Sequence, residues 1–142
     1  MLAFVDLGAR VPPDHPLRTI KALADQALAA LSPEFDRMYA EVGRPSIPPE
    51  RLLKASLLIA LYSVRSERAF CEDLDYNLLF RWFLDMNLTQ PSFDATTFTK
   101  NRKRLPEHRI GQSLSDEVVL EADHQGLLSE EHFTIDATLI EA

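Results

Sequence analysis

The sequence predicts a mainly α protein: a helical bundle with a helix-turn-helix-like segment, then one β-strand near the C-terminal end. Three observations carry this. Apolar residues recur at helical spacing from Leu17 to Phe83. Capping residues, prolines and glycines cut that pattern into about six or seven helices. Only His132 to Thr138 alternates polar and apolar residues with β-branched side chains, which is the pattern of a strand.

The first 15 residues read as extended, because Pro12, Pro13 and Pro16 block an early helix. Leu17, Ile20, Leu23, Ala24, Ala27, Leu28 and Leu31 then form one apolar stripe, predicting a helix over 17–31. Ser32-Pro33-Glu34 predicts a restart, with Ser as N-cap and Pro in the first turn. Phe35, Met38 and Tyr39 give that second helix an expected buried face, and Gly43 ends it. The segment 43–48 is a loop.

Pro49 and Glu50 open a helix running to about Val64. Leu52, Leu53, Ala55, Leu57, Leu58, Ile59, Ala60 and Leu61 make it apolar on nearly every side, so it should be the covered spine of the bundle. Ser66 is placed to cap 67–74, and Asp75 to cap 76–84. Leu79, Phe80, Trp82 and Phe83 read as core. Residues 87–92 form a turn-rich loop containing Pro91. Asp94 caps a helix over 95–105 whose Phe98 faces inward. Pro106 ends it, and a further helix runs from Glu107 to about Gln125.

Charge is unevenly spread. The chain of 142 residues carries a net −7. Residues 1–42 hold 4 basic and 6 acidic side chains, residues 43–104 hold 10 and 7, and residues 105–142 hold 1 and 9. The net charges are therefore −2, +3 and −8. An acidic protein is a poor bulk binder of nucleic acid, so contact with DNA must come from the middle segment. The lone Cys71 excludes an internal disulfide and fits a reducing, cytoplasmic setting. It reads as a packing residue. No apolar run is long enough to span a membrane. The four histidines lack metal-ligand spacing.

Residues 62–105 have the outline of a helix-turn-helix reader, three short helices with a basic third one. In that third helix Thr97, Lys100, Asn101, Arg102, Lys103 and Arg104 offer hydroxyl, amide and cationic donors. Arg reads guanine, Asn reads adenine, and Thr or Lys holds phosphate. The plainer reading is a solvated basic face at a helix C-terminus, which the helix dipole favours. Arg44, Arg51, Lys54, Arg65, Arg68 and Arg81 are further cations that could touch phosphate.

The stretches GRPSIPPERLLKASLLIALYSVRSERAFCEDLDYNLLFRWFLDM, DATTFTKNRKRL and FTIDATLIEA resemble the N-terminal region of insertion-sequence-five-type DDE transposases. The resemblance implies a helical domain over 1–128 that recognises transposon end DNA in cut-and-paste transposition. It implies that 129–142 begins a ribonuclease-H-like catalytic domain. Asp136, followed by Thr138, matches the first catalytic carboxylate of that family. It would bind metal only with the rest of that domain present, and Mg2+ is implied for the full-length family. The second aspartate and the glutamate have no counterpart in these residues, and Glu141 is too close in sequence to replace them. Such chemistry holds two divalent ions between several carboxylates. The expectation is thus a truncated recognition domain with no nuclease activity and no cofactor of its own. Its partners would be terminal-repeat DNA and another copy or full-length transposase. The alternative is a helical dimerisation module that inhibits full-length transposase without touching DNA.

Overall fold

The computed structural model describes residues 6–40, 43, 46–104, 116–118, 120, 121, 123 and 124. The expected strand over 132–138, with Asp136, lies outside the described residues, as do Leu105 and Arg44. Of the helix expected over 107–125, the described residues 116–118, 120, 121, 123 and 124 are helical. Every regular element among the described residues is a helix.

The N-terminal segment is not simply extended. Asp6 accepts from the Gly8 amide (3.0 Å) and starts a 3-10 turn over Leu7–Arg10. Arg18 straps this turn to the bundle: its guanidinium donates to the Gly8 and Val11 carbonyls (2.6 Å each). It also lies over the Trp82 ring, 5.3 Å from the centroid.

Helix α1 spans Pro16–Tyr39 and runs straight through Pro33. The predicted restart at Ser32 does not occur. Pro33 is exposed, so its ring meets no neighbouring helix, and the lost donor is one backbone bond. Continuity keeps Leu17, Ile20, Ala24, Leu28, Phe35 and Tyr39 on one buried stripe, which outweighs that loss. Past its end Gly43, at φ +80°, donates to the Tyr39 carbonyl (2.8 Å), as a helix-terminating glycine should.

Helix α2, Pro49–Leu61, is the covered spine, with Leu52, Leu53, Ala55, Leu57 and Leu58 all buried. It stops three residues before the expected Val64. Ser63 turns left-handed at φ 51°, and the Val64 amide bonds back to the Ile59 carbonyl (3.0 Å), a Schellman closure.

Helix α3, Glu67–Leu74, starts where Ser66 predicts: its hydroxyl accepts from the Ala69 amide (3.0 Å). Helix α4 is shorter than expected, Leu78–Phe83, and Asn77 rather than Asp75 caps it, accepting from Phe80 (2.9 Å). The Tyr76 and Asn77 amides are still bonded to the Asp73 carbonyl, so residues 75–76 finish the previous turn. Asp85 (φ 58°) closes α4, and Met86 bonds back to Arg81 (2.9 Å). Arg81, buried, donates to the Asn87 and Gln90 carbonyls (2.7 and 2.8 Å) and fixes the loop that follows.

Helix α5, Ala95–Arg104, is anchored by Phe98, which is fully buried. Its ring stacks on Phe70 of α3 (5.7 Å between centroids) and on Phe93 (5.6 Å). Phe70 in turn stacks on Phe80 (5.5 Å), so α3, α4 and α5 share one aromatic core.

Candidate nucleic-acid interface

Asp94 builds the start of α5. Its carboxylate accepts from the Thr97 amide and from the Thr97 hydroxyl (both 3.0 Å). These bonds, backbone first, hold the Asp94 carboxyl below its ordinary range, with Arg68 contributing a further favourable charge. The Thr97 hydroxyl is thus occupied in capping.

The polar residues of α5 divide into two sets. Asn101 is buried, and its amide nitrogen donates to the Thr97 carbonyl (2.7 Å) and the Ser46 hydroxyl (3.3 Å). Arg102 is half-buried. Its Nε donates to the Ser56 hydroxyl of α2 (3.0 Å) and its NH1 lies 3.6 Å from Glu67 of α3. Asn101 therefore ties α5 to the segment before α2, and Arg102 ties it to α2 and α3. Lys100, Lys103 and Arg104 are exposed, and none makes an ion pair among the described residues.

The outward set meets Arg68 of α3 across an open groove of about 340 Å³, lined by Arg68, Ala95, Thr96, Thr99, Lys100 and Lys103. No carboxylate and no aromatic ring lines it. Of the other cations singled out in the sequence, Lys54 and Arg81 point inward, and Arg51 reaches the Asp85 carbonyl (3.4 Å). Arg65 and Arg68 are exposed.

Sequence reasoning missed a charge cluster that joins α1, α2 and the end of α4. Lys54 is buried in α2 and pairs with Asp25 of α1 and with Asp85 (2.8 Å). Lys21 pairs with the same two carboxylates, at 2.7 and 2.9 Å. Burial alone would lower the Lys21 pKa, but the bonds to Asp25 and Asp85 outweigh it and raise it. Burial likewise opposes ionisation of Asp85, and the bonds from Lys21 and Lys54 overcome it, lowering its pKa. The available signal was a lysine in the middle of an otherwise apolar helix. Cys71 is buried and its thiol is pushed up to about 11, first by burial and then by Glu67 and other carboxylates. That suits packing, not nucleophilic attack.

Among the described residues no helix is long and apolar enough to cross a membrane, and no group of three or more His, Cys, Asp or Glu side chains could hold a metal ion. What remains is a helical domain with a shared aromatic core and one cation-lined face. Residues 5–104, which include helices α1 to α5, match the family model described as Transposase domain (DUF772), and the chain belongs to that family. No curated protein and no solved structure matches it.

Proposed function

We propose that the chain recognises DNA at the ends of a mobile element, as the N-terminal part of an insertion-sequence-five-type DDE transposase. The observation that carries this reading is α5, which bears three exposed cations on one side of the only net-positive segment of an acidic chain. Membership of a transposase-domain family supplies the biological setting. Lys100, Lys103 and Arg104 contact the duplex, while Thr97, Asn101 and Arg102 keep the helix in place. Bond breaking is assigned elsewhere. Asp136 is the residue that the resemblance gives to Mg2+, and one carboxylate does not hold the two ions such chemistry uses.

The test is a fluorescence-anisotropy titration with a labelled duplex from the ends of the encoding element and a scrambled control, at two salt concentrations. Tighter, salt-sensitive binding to the end duplex supports the reading, and changing Lys103 and Arg104 together to Ala should flatten the salt dependence. Failure to bind either duplex at low salt would refute it.

A second reading, association with another copy or with full-length transposase, is favoured by a different observation. An apolar groove of about 500 Å³ lies between α1 and residues 117, 118, 120, 121 and 124, lined by Leu23, Ala27, Ala30, Val118 and Leu120 among others, with Leu120 64% exposed. Exposed apolar surface of this kind marks contact sites. Sedimentation should then show concentration-dependent association that Leu120→Lys abolishes and the α5 substitutions leave alone.

A further inference from the structure

We infer that the groove between α3 and α5 grips a phosphodiester of the DNA backbone, with Arg68, Lys100 and Lys103 as its cations and the Thr96 and Thr99 hydroxyls as neutral donors. The inference rests on the DNA-recognition reading and goes beyond it by naming the chemical group held and by recruiting Arg68 from a different helix.

Four features point to phosphate. The cations converge from two helices, and the stacked Phe70 and Phe98 rings fix those helices relative to each other. No carboxylate lines the groove to neutralise them, and none of the three makes an ion pair among the described residues. Asp94, whose carboxyl feels the Arg68 charge, makes no ion pair with it among the described residues and accepts both Thr97 bonds instead. Thr96 and Lys100 stand four residues apart on α5, as do Thr99 and Lys103, so each hydroxyl sits one turn from an ammonium on the same side of the helix.

The lining also excludes other ligands. With no aromatic ring the groove offers no platform for stacking an unpaired base. With Ala95 the one apolar residue of its lining, it does not suit a hydrophobic ligand. Its 340 Å³ corresponds to roughly ten water molecules at about 30 Å³ each, room for a phosphate with its flanking sugars. Phosphate contacts position a protein on a duplex without reading sequence. The groove therefore sets where α5 lies, and any base discrimination comes from other residues.

The experiment is the same anisotropy titration on the full chain, with Arg68→Ala, Lys100→Ala and Lys103→Ala, and Arg37→Ala as an exposed cation outside the groove. Each phosphate contact contributes about 0.9 to the logarithmic salt slope. With one phosphate held in the groove, a fourfold rise in salt should cost about 3.5-fold in affinity through it. The expected result is that each groove variant weakens binding equally on the end duplex and the scrambled duplex and that the three changes together flatten the slope by about 0.9, while Arg37→Ala does neither. If the parent chain binds and the three variants bind as it does, the groove assignment falls and DNA recognition stands. Loss confined to the end duplex would mean base contact and would also overturn the phosphate assignment. A parent chain that binds neither duplex overturns both.

Discussion

The buried Lys54 makes an asymmetric prediction: removing its partners should cost far more than removing the lysine itself. Its side chain is 5% exposed, whereas those of Asp25 and Asp85 are 40% and 61% exposed. Replacing both carboxylates, Asp25→Asn with Asp85→Asn, leaves a buried ammonium with no counter-charge. Stripping a buried ion pair of one side costs about 3–5 kcal/mol, and the lower end applies because the amide oxygens still accept hydrogen bonds. Asn is chosen because it tolerates the left-handed backbone that Asp85 adopts. Lys54→Met keeps the packing volume, and both carboxylates retain Lys21 and solvent. Its cost should stay within about 1 kcal/mol. Urea unfolding followed by circular dichroism separates the two. With a slope of about 1–3 kcal/mol per molar, the double Asn variant should lose at least about 1 M in midpoint. Lys54→Met should barely move, and adding it to the double variant should recover most of the loss. The pH dependence has a defined sign. Asp85 is lowered from an ordinary value of 3.8, so its contribution is complete above that value and is lost as pH falls through the lowered one. The gap between parent and Asp85→Asn should therefore close on acidification below about pH 4. A double Asn variant as stable as the parent, or a Lys54→Met variant as damaged as the double, would refute the reasoning.

Other outcomes follow from the packing. Phe98→Ala should cost about 3–5 kcal/mol, because the ring is fully buried between Phe70 and Phe93, and should disorder α5 with it; chemical denaturation and DNA binding should fail together. Pro33→Ala should stabilise the chain by about 2 kcal/mol, read as a higher thermal midpoint, since the helix already runs through this exposed position and Ala restores the missing donor. Cys71 should react with iodoacetamide at pH 8 roughly 100-fold more slowly in the folded chain than in urea, with the native rate still climbing towards its pKa of about 11. Rapid native alkylation at pH 8 would contradict the burial assigned to it.

The sequence by itself determined the helical class and most element starts. Ser66 and Asp94 each accept from an amide three residues on, and Pro49 fixes its own backbone at the first turn of α2, so their effect is local and legible. The same holds for Gly43, whose backbone is its own signal. The transposase resemblance rested on long contiguous stretches, and the family match covers residues 5–104. The tertiary structure decided what local rules leave balanced. Pro33 favours a new helix start in isolation; the shared core of Leu28 and Phe35 carries α1 through it. Asp75 and Asn77 are nearly equivalent caps, and the turn completed on Asp73 selects Asn77. The division of α5 is the clearest case. Asn101 and Arg102 look as available as Lys100 and Lys103 until the chain brings Ser46, Ser56 and Glu67 beside them. Two of those partners lie 55 and 46 residues away in sequence, a separation that no helical periodicity encodes, and it is they that turn half of a basic, hydroxyl-rich helix into scaffold and leave the other half facing solvent.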